Sequence, residues 1–211
     1  MPKRCPENAF PESIGEALKR EPDPDKLLRA LGILASEPTL ALGQLKMLAD
    51  QGSLLSMVFI GDAYLHGRGV EPDIELGKAL IERAIDGGSI EGRFRMGNFF
   101  EETGQYDKSI NERRILAEYG YSPAMYLLAW MYYNGRDAGV TIDIDKAIFY
   151  WTMAAEAGHL HAKRQLSYIY RTGKFGIFKM IRGHIMPFCF LVPFVRYTMC
   201  YPKSDRLREA R

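Results

Sequence analysis

Cysteine is scarce in this chain, and what there is cannot build a framework. The three cysteines, Cys5, Cys189 and Cys200, are odd in number and share no tight spacing, which excludes a disulfide scaffold and a zinc motif. The amino-terminal stretch MPKRCPENAFPESIGEALKR holds no apolar run of the seven or more residues that a secretory leader needs, so a cytoplasmic location is expected. Catalytic motifs are lacking too. His66, His159, His161 and His184 have no Cys, Asp or Glu at ligand spacing, and His159 and His161, two apart, would point to different sides of a helix. There is no nucleophile elbow; Glu101-Glu102 reads as solvated surface and Asp143/Asp145 as a helix cap. HGRGV, from His66 to Val70, follows a helix rather than a strand and has no Gly-Lys-Ser/Thr after it, so it reads as a turn between helices, not a phosphate cradle. No enzyme, metal, cofactor or nucleic-acid partner is expected.

What the chain does have is a block that returns. Gly52, Gly88, Gly120 and Gly158 are separated by 36, 32 and 38 residues, and each follows the end of a helix-like segment. Four residues after each stands a small residue (Ser56, Gly92, Ala124, Ala162), then a long aliphatic one (Ile60, Met96, Leu128, Leu166). Another small residue comes next (Gly61, Gly97, Ala129, Ser167), and three further an aromatic (Tyr64, Phe100, Tyr132, Tyr170). A self-similar unit of this length marks stacked helix pairs. Asp73 and Asp143 precede the second helices as caps. The glycines suit the left-handed conformation that closes a helix, and Gly61, Gly97, Ala129 and Ser167 fall where paired helices cross. Asp23–Ser53 reads as a divergent first unit. The expected class is all-α: a right-handed α–α superhelical solenoid of about four pairs. It is organised as an amino-terminal lead-in with a divergent first helix (1–38), the repeat array (39–173) and a basic, apolar tail (174–211). The proline-rich stretch 1–22 is expected to cap the first end.

These residues resemble the Sel-1-like repeat family, a relative of the tetratricopeptide repeat. The match is strongest in SMVFIGDAYLHGRGVEPDIELGKALIERAIDGG from Ser56 and in AMYLLAWMYYNG with AIFYWTMAAEAGH from Ala124. The unit from Gly92 has a shortened loop, and the unit from Ala162 keeps only its first helix. The resemblance implies an adaptor scaffold that holds a protein partner, in bacteria sometimes an accessory factor of envelope or polysaccharide assembly. The cysteine pair per repeat found in secreted members is absent. By alignment to the tetratricopeptide pattern, the first helices line a concave side and expose Val58, Asp62 and Leu65, then Phe94, Asn98 and Glu101. The row continues with Tyr126, Trp130 and Tyr133, then Arg164, Tyr168 and Arg171. The expected partner contacts are Asn98, Glu101, Tyr126, Trp130, Tyr133, Arg164, Tyr168 and Arg171, an aromatic and basic groove. The plainer alternative is that Tyr126 and Trp130 pack against the next unit.

Charge is unevenly placed. From Arg171 onward nine bases face two acids, a net +7, which leaves −5 for residues 1–170 given the overall +2. Within this tail, IMPFCFLVPFV is apolar throughout, and the thirteen residues between Arg182 and Arg196 carry no Asp, Glu, Lys or Arg. As a helix they would reach only about 20 Å, short of a ~30 Å hydrocarbon core, and Pro187 and Pro193 would break it. Two readings stay open. The tail contacts an anionic membrane at the inner face through Lys179, Arg182, Phe188, Phe190, Leu191, Phe194 and Arg196, or it covers the last apolar edge of the stack.

Overall fold

The computed structural model describes residues 17–135 and 140–172, with Ile181 and Ile185. The expected lead-in through residue 16 and the tail contacts Lys179, Arg182, Phe188, Phe190, Leu191, Phe194 and Arg196 lie outside the described residues. Among those described there are nine helices and no strand: α1 (Pro24–Ile33), α2 (Pro38–Asp50), α3 (Leu54–His66), α4 (Ile74–Asp86), α5 (Ile90–Glu102), α6 (Tyr106–Glu118), α7 (Ser122–Asn134), α8 (Ile144–Glu156) and α9 (Leu160–Arg171). The chain divides into two compact units, Glu12–Glu112 and the part from Arg113 onward, described in turn.

In the unit ending at Glu112, each helix begins and ends on residues suited to the task. The Asp23 carboxylate accepts from the Lys26 amide at 3.0 Å and starts α1, and Asp73 accepts from Leu76 in the same way to start α4. The first helices α3 and α5 are capped by Ser53 and Ser89, whose hydroxyls accept the amides of Ser56 and Gly92 at 3.1 Å. Each capping serine follows directly on a left-handed glycine, Gly52 (φ 93°) or Gly88 (φ 90°), so one dipeptide stops a helix and starts the next. The HGRGV segment is a turn, with Gly67 and Gly69 both at positive φ.

The tightest packing joins α3 to α4. A Cβ placed on Gly61 would lie 2.6 Å from Ile81 Cγ1 and 2.7 Å from the Gly77 carbonyl oxygen, and one on Gly77 would lie 2.8 Å from the Gly61 carbonyl oxygen. The two helices therefore cross backbone to backbone, as the small residue at position 61 predicts. Leu27, Leu42, Leu45, Leu48, Leu55 and Ile60 fill the core between α1, α2 and α3. Leu65 and Ile81 meet Met96 and Phe99 of α5.

The unit from Arg113 onward repeats this plan around α7, α8 and α9. Asp143 caps α8 by accepting from the Lys146 amide at 2.9 Å. That amide, and then the Lys146 ammonium, hold the Asp143 carboxyl below its ordinary range. Ala129 and Ala147 are fully buried at positions matching Gly61 and Gly77. Gly120 (φ 81°) and Gly158 (φ 91°) are left-handed like their counterparts. Both connecting loops are anchored alike: the Asp73 amide donates to the Tyr64 carbonyl at 3.0 Å and the Asp143 amide to the Tyr132 carbonyl at 2.9 Å. The cap is thus tied to the repeat aromatic although the second loop is longer by two residues.

The repeat aromatics share one further feature. Lys46 lies 5.6 Å from the ring centroid of Tyr64, Lys108 5.3 Å from Phe100 and Lys146 5.2 Å from Tyr132. In each the ammonium meets the negative face of the ring, a contact worth about 0.5–1 kcal/mol.

The two uses of glycine separate experimentally. Gly61→Ala meets a packed helix and should cost about 1–3 kcal/mol. Gly88→Ala meets no atom within 4 Å, so only its positive φ is penalised, by roughly 1 kcal/mol. Chemical denaturation at unchanged m-value measures both; a Gly61→Ala protein as stable as the parent would refute the close crossing.

Candidate functional site

The residues singled out on the first helices do not form one exposed row. Val58, Leu65, Phe94 and Tyr126 are buried, each under a tenth exposed, and so is Asp62. The expectation that they line an open face is corrected for a physical reason. In the unit ending at Glu112 the two first helices pack directly on one another: a Cβ on Gly92 of α5 would stand 3.2 Å from Val58 of α3.

Asp62 is buried because it is neutralised. Its carboxylate meets Arg68 of the connecting turn at 2.9 Å and Arg95 of α5 at 3.1 Å. Arg95 also holds Glu91 at 2.8 Å and lies 4.9 Å over the Phe59 ring. His66 adds a bond from Nδ1 to the Asp62 carbonyl at 2.8 Å and one from Nε2 to Glu102 at 2.9 Å. Glu102, exposed as the sequence suggested, thereby also bonds across to α3. Asn98 and Glu101 stand on the same α5, both half-buried. This cluster clamps α3 to α5 and reads as structural, because every partner of Asp62 is a positioned base.

The second group gathers around α7. Tyr126, Trp130 and Tyr133 follow one another at spacings of four and three, and their rings touch edge to face: Tyr126–Trp130 at 6.3 Å and Trp130–Tyr133 at 5.6 Å. Trp151 of α8 closes the set from behind, 5.4 Å from Trp130 and 5.3 Å from Tyr133. Trp151 is wholly buried and its indole N–H has no hydrogen-bond partner. Tyr126 stacks on His159 at 4.6 Å and also approaches His161 at 6.2 Å. The expectation that the two histidines face apart therefore fails: His159 is not in the helix but at its cap, where Nδ1 accepts the Ala162 amide at 3.3 Å. An acceptor at Nδ1 places the proton of a neutral ring on Nε2.

Tyr126 is thus core, in line with the plainer alternative, whereas Trp130 and Tyr133 are half-buried. On α9, Arg164, Tyr168 and Arg171 occupy one face at spacings of four and three, all exposed, Tyr168 to 56%. The sequence reading missed Trp151, which fixes the α7 rings. Its only signal was a tryptophan at an inward position of the second helix.

A further cluster went unread. Arg114 donates to the Tyr132 hydroxyl at 2.7 Å, and Tyr132 lies parallel to Tyr150 at 5.8 Å. The hydrogen bond to Tyr132 holds the Arg114 guanidinium above its ordinary value. Burial, and next the adjacent Tyr132, push the Tyr150 phenol above the usual value near 10. Nothing here pairs a nucleophile with a base. Among the described residues no three His, Cys, Asp or Glu side chains are placed to hold a metal ion, and no helix is long and apolar enough to cross a membrane.

A family model for the Sel1 repeat matches residues 54–89 and 122–159, the segments of α3–α4 and α7–α8 with their closing turns. Among solved structures, a Sel1 repeat protein from Oxalobacter formigenes aligns at a TM-score of 0.61 and 24% identity, covering 76% of this chain and 70% of that one. A protective antigen present in uropathogenic Escherichia coli strains, displaying an SLR fold, aligns at 0.56 and 25% identity over 76% of this chain and 37% of its own. Among curated proteins, chitin synthase regulatory factor 3 of Schizosaccharomyces pombe is 30% identical over 142 residues, 63% of this chain. The chain spans 15% of that relative's length. The expected helical solenoid is the observed fold class.

The split between core and surface aromatics can be measured. Tyr126→Ala should destabilise by about 3–5 kcal/mol, the cost of emptying a buried aromatic site, while Tyr168→Ala should stay within about 0.5 kcal/mol. Thermal melts of both variants check this; similar losses would show that Tyr168 is packed.

Proposed function

We propose that this chain, whose residues 54–89 and 122–159 match the Sel1 repeat, is a non-enzymatic scaffold, the protein–protein interaction role that such repeats generally serve. It grips a segment of a partner on the first-helix side of α7 and α9. Two observations support the reading, the ring set of Trp130 and Tyr133 on α7 and the exposed pair Tyr168 and Arg171 on α9. The first two rings are held by Trp151 from behind, while Tyr168 and Arg171 are exposed. Rigid aromatic anchors and arginine are the residue types enriched at binding hot spots, because little side-chain freedom is lost on contact. Arg164 belongs to the same face of α9; Asn98 and Glu101, on α5 of the other unit, are proposed as partner contacts in their own right.

The test is affinity capture followed by a melt. A Tyr168→Ala/Arg171→Glu protein and a Tyr133→Ala protein should each lose partner capture at least tenfold. The Tyr168/Arg171 protein should keep the parental melting temperature. Undiminished capture by both would remove the proposed surface.

A second reading is favoured by the similarity to chitin synthase regulatory factor 3 of Schizosaccharomyces pombe. In it the chain is a peripheral membrane accessory protein placed by its basic, apolar tail, supporting an envelope or polysaccharide assembly complex at the cytoplasmic face. The full-length protein should then float with anionic vesicles, and a Lys179→Glu/Arg182→Glu/Arg196→Glu protein should not. Equal flotation of the two would eliminate tail anchoring.

A further inference from the structure

A second surface lies in the other unit, on the side of the second helices. Between α2 and α4, with α3 as its floor, runs an open groove of about 220 Å³. That is below the range of small-molecule pockets, about 300–1,000 Å³, and of a size for a side chain. Its floor is apolar: Met57 and Ile60 are buried, and Leu76 and Leu80 come down from α4.

The walls of the groove are charged, and among the described residues their cations have no ion-pair partner. Leu76, Leu80 and Arg83 form one stripe of α4 at spacings of four and three, with Leu76 left 40% exposed. Lys46 stands on the facing wall over Tyr64. Lys46 and Arg83 are both exposed, and among the described residues neither has an ion-pair partner, whereas Arg68, Arg93 and Arg95 of the same unit all do. The acid at the rim, Asp50, is likewise unpaired, suited to accept a backbone N–H of a bound chain. From Leu76 to Arg83 is about 10 Å along the helix, room for roughly three extended residues.

We propose that this groove docks an acidic segment of a partner protein, with one large apolar side chain seated on Met57, Ile60, Leu76 and Leu80 and flanking carboxylates held by Lys46 and Arg83. The charge decides the occupant. The chain's own carboxy-terminal stretch, at +7, would bring cations to cations. The contact is separate from the α7/α9 surface and stands or falls independently of it.

The probes are three fluorescein-labelled decapeptides: one with a central Phe flanked by Asp and Glu, one with those acids replaced by Lys, and one with Phe replaced by Ala. Anisotropy titrations of the full chain should show the acidic Phe peptide binding at least tenfold tighter than either control. Raised salt should weaken it, as rim charges are screened. A Lys46→Glu/Arg83→Glu protein should reverse the preference toward the lysine peptide. Leu76→Asp should abolish binding at an unchanged melting temperature, and Tyr168→Ala/Arg171→Glu should leave it intact. Equal binding of acidic and basic peptides, no saturation by the acidic one at millimolar concentration, or an unchanged preference in the charge-reversed protein would each overturn the proposal. So would self-association of the free chain that Leu76→Asp abolishes, since a second copy would then occupy the groove.

Discussion

The contact on which the molecule depends is the near-touching of two backbones where α3 crosses α4. Gly61 and Gly77 leave no room for a methyl group on either side, so this helix pair approaches as closely as peptide groups allow. That proximity brings Leu65 and Ile81 into one cluster with Met96 and Phe99 and buries α3 on nearly every side. A helix buried around nearly its whole circumference cannot stand alone in water. It needs its partner and both neighbours, which is why the repeat is a unit of sequence but not of stability. Ala129 and Ala147 carry the same role in the other unit with a slightly larger side chain at each position.

Much of this was legible from residues alone, and the reasons are local. A glycine that must adopt positive φ, an aspartate before a helix and a small residue at a crossing each announce themselves by type and spacing. Gly52, Gly88, Gly120 and Gly158 all take the left-handed conformation, and Asp73 and Asp143 both cap. Gly77 escaped because its partner lies sixteen residues away on another helix, and no periodicity within α4 marks it. The serines after Gly52 and Gly88 were not legible as caps, because serine is as common in turns as it is at helix starts.

The candidate site was less legible. Aromatic spacing on α7 identified which rings share a face, yet said nothing of which would be covered. Tyr126 is covered by His159, a residue that sits at a helix cap rather than within a helix. Asp62 looked like an exposed polar position because a carboxylate usually is one. Its bases, Arg68 and Arg95, come from a turn and from the next first helix, and such pairings become visible only once the stack is assembled. Tyr126 and Trp151 are covered, while Trp130 and Tyr133 are only half-covered.

The junction dipeptides have an evolutionary corollary. Where a stop residue and a start residue stand side by side, as in Gly52-Ser53 and Gly88-Ser89, everything between two such seams is self-contained. A duplicated block inserted at a seam inherits a complete ending in front and a complete beginning behind, so whole-block growth leaves no frayed edge, whereas a break inside a block strands half a pair. Arrays of this design are therefore free to change length in whole steps, and their interior surfaces can diversify one block at a time.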